Sequence, residues 1–231
     1  YGNRLFLGGE EGALKQAAYN DLVARTGWAW GCTSFDFDND GDLDLYIANG
    51  NISGRSAKDH STTFWRHDIY SGTSKDNPAL DALFNQSQEC LDTISWNGFE
   101  HNVLLMNESP ASFLDVSFLM NTALEFDSRA IVGDDLDGDG LPEMVVGIWG
   151  IGSDQELQVV EGLGCDPTLA SHVETDTDKT TLILNGTDGT IIGVIPDTTP
   201  TGTMDLDNDG RAELIVRAAD GGQSYVYGFD S

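Results

Sequence analysis

The sequence predicts an all-β protein built from four-stranded antiparallel units, and three observations support this fold class. A nine-residue acidic segment occurs three times, at residues 36–44, 135–143 and 205–213. Each copy is followed by an apolar, partly β-branched run, which is typical of a strand rather than a helix. Pairs of short apolar runs separated by polar turns also recur along the chain, as expected for repeated β-hairpins.

The hairpins are predicted in chain order. The first spans 3–7 and 14–19, and the second spans 102–106 and 113–118 at the same distance from its acidic segment. The third, at 182–184 and 191–195, encloses the turn sequence NGTDG, and a last strand is predicted at 225–229. One hairpin joined to one strand–loop–strand gives four strands, which is the content of a propeller blade.

The three acidic segments, called loops 1, 2 and 3 below, read DFDNDGDLD, DLDGDGLPE and DLDNDGRAE. Alternating carboxylates, a glycine at position six and an acid at position nine suit a hard cation. Calcium fits best, because it accepts six to eight oxygens in flexible geometry. The helical calcium motif places its acid at position twelve, but that position here holds Ile47, Val146 or Val216.

About three Ca²⁺ ions are therefore predicted, each bound by side-chain oxygens at positions one, three, five and nine and by the carbonyl of position seven. The predicted ligands are Asp36, Asp38, Asp40, Asp42 and Asp44; Asp135, Asp137, Asp139, Leu141 and Glu143; Asp205, Asp207, Asp209, Arg211 and Glu213. A single Asp-Gly segment is often only a solvated turn. Three copies with identical spacing favour metal binding.

These loops and their flanking strands resemble FG-GAP/VCBS repeats, the calcium-bearing blades of integrin α-chain heads and many bacterial surface proteins. The segments 28–41 and 128–135 are also similar to repeats of bacterial ASPIC/UnbV-type proteins, and 95–100 adds a weaker likeness. The resemblance implies an extracellular β-propeller in which calcium is structural and which serves adhesion or recognition. It implies neither one ligand nor one reaction.

Residues 1–231 are interpreted as a single propeller-like domain. Propellers close with about four to eight blades, whereas this sequence supplies strands for roughly three. We therefore expect part of a larger propeller, or an open array whose end blades pair with something else. Exposed blade edges accept partner strands, so self-association is one predicted contact.

The formal net charge of −28, from 39 acidic and 11 basic residues, limits the partners. Three divalent ions would cancel six of these charges, and the remainder repels nucleic acid and anionic membranes. No apolar run has transmembrane length, so membrane insertion is not expected. Because millimolar external calcium can saturate even weak sites, the predicted location is extracellular or at the cell surface, with a protein or glycan partner.

Two insertions interrupt the repeats, at about 52–100 and 152–179. The first contains Trp65, His67 and Tyr70, which are suited to stacking on and hydrogen-bonding a sugar ring. An aromatic plug over a blade edge is the plainer alternative. The second insertion carries no chemical signal.

Four Asn-x-Ser/Thr sequons mark candidate glycosylation sites, or are chance in a chain rich in these residues. They begin at Asn51, Asn85, Asn107 and Asn185. Of the three cysteines, Cys32 is predicted to be a buried thiol in a strand, whereas Cys90 and Cys165 are candidates for one disulfide.

Catalytic motifs are not found: the sequence has no Gly-x-Ser-x-Gly, HExxH or phosphate loop. We therefore expect no enzymatic activity. Three functions stay open at this point: a calcium-stabilised module for adhesion, recognition or assembly; a structural subunit of a surface layer or filament; and a carbohydrate-binding or carbohydrate-active protein that uses the first insertion.

Overall fold

The computed structural model describes residues 2–53, 95–109, 112–149 and 179–229. They form an all-β structure, as predicted. In chain order the strands are β1 (Phe6–Gly8), β2 (Leu14–Gln16), β3 (Ala29–Phe35), β4 (Asp44–Asn49), β5 (Val103–Ser109), β6 (Ser112–Asp115), β7 (Asp127–Asp134), β8 (Glu143–Trp149), β9 (Lys179–Leu184), β10 (Ile191–Pro196), β11 (Thr198–Met204), β12 (Glu213–Ala218) and β13 (Ser224–Tyr227). Two 3-10 turns, Glu10–Gly12 and Asn20–Leu22, are the helical elements of this part, and no helix there is long and apolar enough to cross a membrane.

The strands form meandering antiparallel sheets of the kind expected for propeller blades. Blade 1 has the strand order β3-β4-β5-β6, blade 2 the order β7-β8-β9-β10, and blade 3 the order β11-β12-β13. The predicted hairpins β5–β6 and β9–β10 are confirmed, but each completes the blade whose acidic loop precedes it. The hairpin β1–β2 forms a separate two-stranded sheet, and β2 is shorter than predicted.

The blades stack face to face, and their apolar residues form two buried layers. Between blades 1 and 2 lie Tyr46 and Leu104 from one sheet and Met144, Val146 and Leu184 from the other, all with essentially no exposed surface. The second layer joins blades 2 and 3 through Val145, Ile183, Leu214 and Val216. The central strand β8 is buried on both faces, because a blade lies on each side of it.

Two glycines allow the blades to approach closely. A Cβ atom at Gly133 of β7 would lie 2.5 Å from Cδ1 of Phe35 in β3, and one at Gly147 of β8 would lie 2.7 Å from Cδ of Pro200 in β11. The first strands β3, β7 and β11 are consequently neighbours along the stack. Because each acidic loop follows one of these strands, the packing brings all three loops to the same rim.

Both insertions leave their blades at the equivalent place, between the second and third strands, which is the rim opposite the acidic loops. In blade 3 the same connection is the short segment 219–223 between β12 and β13. The first insertion begins and ends with a β-bridge between Ile52 and Trp96. Residues 54–94 and 150–178 lie outside the described part, so Trp65, His67, Tyr70, Asn85, Cys90 and Cys165 have no structural account.

Candidate metal-binding loops

Each acidic loop connects the first and second strands of its blade. The strand pairs that close the loops are Phe35 with Asp44, Asp134 with Glu143 and Met204 with Glu213. The ninth residue of each loop is therefore also the first residue of a strand. This confirms the predicted strand–loop–strand arrangement and places the ninth side chain in fixed register against the loop.

The same hydrogen-bond network recurs in all three loops. The carboxylate of position one accepts the N–H of position six at 3.0–3.1 Å. The carboxylates of positions three and five accept the N–H two residues later, at 2.8–3.2 Å. The carboxylate of position nine accepts the N–H of position two at 2.6–2.9 Å. Loop backbone and acids thus hold one another in a single geometry.

Two positions in each loop adopt positive φ. The glycines of position six, Gly41, Gly140 and Gly210, have φ of 97°, 90° and 93°, as their sequence positions suggest. Position four is also left-handed, with φ of 58° at Asn39, 80° at Gly138 and 61° at Asn208. The pattern Asn/Gly/Asn is the sequence signal for this second turn, because these residues tolerate positive φ best, and sequence analysis missed it.

Three acidic clusters result, each with carboxylate oxygens within 4.8 Å of one another. Their members are Asp36, Asp38 and Asp40 in loop 1; Asp135, Asp137 and Glu143 in loop 2; and Asp205, Asp207 and Glu213 in loop 3. Oxygen donors of this kind suit calcium or magnesium and give soft metals little affinity. Without a cation, like charges at this separation repel one another.

Loop 2 is the acidic loop whose side chains fit a cation most clearly. The Glu143 side chain is fully buried, and its Oε2 accepts the Leu136 N–H at 2.9 Å. Its Oε1 is buried and accepts no hydrogen bond of good geometry, although the backbone amides of Asp137 and Gly186 are near the carboxylate. Burial raises the pKa of Glu143, and the Asp137 carboxylate raises it further, against the effect of nearby backbone amides. A buried acceptor without a partner is costly, and a cation held with Asp135 and Asp137 would satisfy it.

Loop 1 differs because its ninth residue is aspartate rather than glutamate. Asp44 is almost fully buried; its Oδ2 accepts the Phe37 N–H and its Oδ1 accepts the Asn107 N–H, both at 2.8 Å. Both oxygens are therefore occupied by backbone donors. In loop 1 the buried oxygen without a donor is Oδ1 of Asp42, at position seven. The longer Glu143 reaches its backbone donor with one oxygen and leaves the other free.

Neighbouring loops also contact one another directly. The Asn39 Nδ2 donates to the Gly140 carbonyl at 2.5 Å, which joins loop 1 to loop 2. The Ala212 N–H donates to the Asp135 carbonyl at 3.3 Å, and the Arg211 side chain packs beside Gly138, which joins loop 3 to loop 2. The three loops form one continuous rim, although they lie far apart in the sequence.

The other predicted sites have mixed outcomes. Asn185 lies in the turn of the β9–β10 hairpin, whereas Asn107 lies within β5 and its Nδ2 donates to the Leu43 carbonyl at 3.4 Å. Asn51 lies at the start of the first insertion. Nothing in these contacts tests glycosylation.

The prediction of a buried thiol at Cys32 is wrong. Cys32 is exposed, since the inward face of β3 is formed by its neighbours Gly31 and Phe35. The Cys32 side chain lines an open groove of about 260 Å³ between blade 1 and the N-terminal segment, which covers that face of the blade only in part.

Comparisons with known proteins add no family. No protein-family model matches the chain, and no curated protein matches it either.

Proposed function

We propose that this protein is a calcium-stabilised extracellular module with β-propeller-like blades, which serves adhesion, recognition or assembly. The observation that carries the proposal is the buried Oε1 of Glu143, which accepts no hydrogen bond of good geometry, on a residue of a three-carboxylate cluster. A side chain in this state costs stability unless a cation binds.

Calcium is proposed over magnesium because each loop offers many oxygens on a short backbone segment. Carboxylates at alternate positions and a carbonyl at position seven can supply a loose shell of six or more ligands. Magnesium instead retains several waters and requires a tight octahedron. With three bound ions the formal charge of −28 becomes −22, and the repulsion within each loop is relieved.

The extracellular location follows from the calcium proposal. In loop 1 both Asp44 oxygens accept hydrogen bonds from backbone amides. We therefore expect loop 1 to bind calcium less tightly than loops 2 and 3. Such a site is filled at the millimolar calcium concentration outside cells and not at cytosolic levels. The proposed partners are proteins or glycans at the cell surface.

Thermal unfolding in calcium, in magnesium and in excess chelator tests the proposal. We expect calcium to raise the melting temperature well above the chelator value and magnesium to raise it much less. Glu143→Gln removes a loop acid, and Glu125→Gln is the matched control because Glu125 is exposed and lies outside the loops. Identical melting curves in calcium and chelator would refute structural calcium binding.

Assembly has one specific structural basis. The strand β13 is exposed at every residue, including Tyr225, Val226 and Tyr227, and it pairs with β12 on one side. An exposed apolar edge strand is a template for pairing with another chain. Sedimentation velocity of the wild type and of Val226→Lys, both in calcium, tests this. Concentration-dependent assembly that the lysine abolishes supports edge pairing, and a monomer at all concentrations contradicts it.

A further inference from the structure

The rim opposite the acidic loops carries an alternating row of aromatic and basic side chains. It consists of Trp30 near the start of β3, Arg129 near the start of β7, Trp149 at the end of β8 and Lys179 at the start of β9. We call these four residues the ladder. Trp149 and Lys179 are direct cross-strand partners, so the ladder runs from blade 1 across blade 2.

The ladder members are stacked at cation–π distances. The guanidinium carbon of Arg129 lies 4.5 Å from the centre of the Trp30 ring and 5.6 Å from that of Trp149. The Lys179 Nζ lies 4.6 Å from the centre of the Trp149 ring. Each cation is within the range at which an aromatic ring attracts it.

Two β-bulges build this arrangement. Trp30 is the extra residue between Ala29 and Gly31 in β3, and Arg129 is the extra residue between Ser128 and Ala130 in β7. A bulge redirects its side chain, and bulges are common beside functional sites. The two bulges lie at the same distance from their acidic loops, which brings the two side chains together across the interface between blades.

Backbone carbonyls hold the cations in place. The Arg129 Nη1 donates to the carbonyls of Gly50 at 2.7 Å and Ser128 at 3.2 Å, and its Nη2 donates to the Asn51 carbonyl. The Lys179 Nζ donates to the Ala219 carbonyl of blade 3 at 3.0 Å. Within the described part of the chain, each cation keeps donors beyond these bonds, since a guanidinium has five and an ammonium three.

The two indoles of the ladder are partly exposed, and each lies beside a cation in a strongly acidic protein. Trp30 is 49% exposed and Trp149 is 37% exposed. Asp127, the acid nearest to Arg129 in sequence, is buried; both of its oxygens accept bonds from Ser53, at 2.7 and 2.9 Å, and its carboxylate also attracts the Arg129 guanidinium. A ligand ring with an apolar face could stack on an indole of the ladder, and an anionic substituent on that ring could pair with one of the two cations.

We propose that the ladder binds an acidic sugar, a pyranose ring that carries a carboxylate or a sulfate. The ring stacks on the exposed indole surface, and the anion pairs with the Lys179 ammonium and the free donors of Arg129. A neutral sugar would not use the cations. A nucleic-acid strand would bring a run of phosphates against a surface whose net charge is −28. The inference assigns a ligand class to the proposed recognition function.

The test is a titration of the protein in calcium, followed by intrinsic tryptophan fluorescence and calorimetry. The probes are a glucuronate-containing tetrasaccharide, a sulfated galactose tetrasaccharide and neutral chitotetraose. We expect saturable binding of one or both acidic probes and none of the neutral one. The probe that binds distinguishes a carboxylate ligand from a sulfate ligand.

Matched variants locate the binding. Trp30→Ala and Lys179→Gln should each weaken it at least tenfold. Trp28→Ala removes an exposed indole outside the ladder, and Lys15→Gln removes an exposed charge elsewhere; neither should change the affinity more than twofold. Calcium-dependent melting of each variant confirms folding, and it tests the calcium role independently of sugar binding.

Three results would overturn the proposal. They are no saturable binding of either acidic probe, equal binding of chitotetraose, or equal weakening by the ladder variants and their controls.

Discussion

Replacement of Glu143 by glutamine should stabilise the metal-free protein and reduce the stabilisation that calcium gives. In the metal-free protein Glu143 is a fully buried carboxylate with one unpartnered oxygen, beside Asp135 and Asp137. The variant Glu143→Gln removes this charge and places an amide donor toward the two acids. Since an unsatisfied buried polar group costs about 1–3 kcal/mol, we expect the chelated variant to be more stable than the chelated wild type by about that amount.

In calcium this gain is offset, because glutamine is a weaker ligand than glutamate. A hundredfold loss of affinity removes about 2.7 kcal/mol of the stabilisation that calcium gives when it is in large excess. For a domain of this size, 1 kcal/mol corresponds to about 2–4 °C in melting temperature. The rise in melting temperature that calcium causes should therefore be several degrees smaller for Glu143→Gln than for the wild type. In chelator, the variant should have the higher melting temperature of the two.

The assay is urea unfolding of the wild type, Glu143→Gln and the control Glu125→Gln, each in calcium and in chelator. The control should show the wild-type calcium dependence. If Glu143→Gln lowers stability by the same amount in both conditions, Glu143 only anchors the Leu136 N–H. That result would refute the argument that its second oxygen binds a cation.

Burial raises the pKa of both Asp44 and Glu143 in the folded, metal-free protein. The stability that a raised carboxyl pKa contributes is fully present below the unfolded pKa, about 4, and is lost as the pH rises through the folded pKa. The chelated protein should therefore gain stability as the pH falls from about 7 toward 4. In calcium the same titration should lower stability, because protons compete with the ion, and a parallel pH dependence in both conditions would contradict this. Asn39→Gly keeps the positive φ but removes the hydrogen bond to loop 2. It should lower the free energy of unfolding, measured by chemical denaturation, by about 0.5–1.5 kcal/mol. Asn208→Gly at the equivalent position of loop 3 should lower it less, and equal losses would argue against the inter-loop bond. Gly133→Ala would place a Cβ atom 2.5 Å from Phe35 and should lower the free energy of unfolding by about 1–3 kcal/mol. The control Gly202→Ala in β11, where a Cβ would meet nothing within 4 Å, should be about as stable as the wild type. Similar stabilities of the two variants would show that the blades can separate at no cost.

Local sequence carries most of the information about the acidic loops. The hydrogen bonds within each loop join residues two to seven positions apart, so a nine-residue pattern is sufficient to specify them. The strands that follow the loops, and the hairpins β5–β6 and β9–β10, were likewise predicted, because alternating apolar runs and a polar turn act over short distances. The local sequence pattern does not show which strands belong to the same blade. In the structure each hairpin joins the blade whose acidic loop precedes it.

Packing between blades decides the remaining features. The exposure of Cys32 depends on how much of blade 1 the N-terminal segment covers, which no strand pattern reveals. The contact between Asn39 and Gly140 and the stacking of Trp30 on Arg129 each join residues about 100 positions apart.

The sequence by itself therefore determined the all-β fold, the three acidic loops and the chemistry of their carboxylates, because these depend on neighbours along the chain. Only the tertiary structure decided that the loops share one rim, that Asp44 and Glu143 differ in their free oxygens, and that the opposite rim carries the ladder. Those features depend on which blades touch and on the β-bulges that redirect side chains between them, and these contacts form only when distant segments pack together.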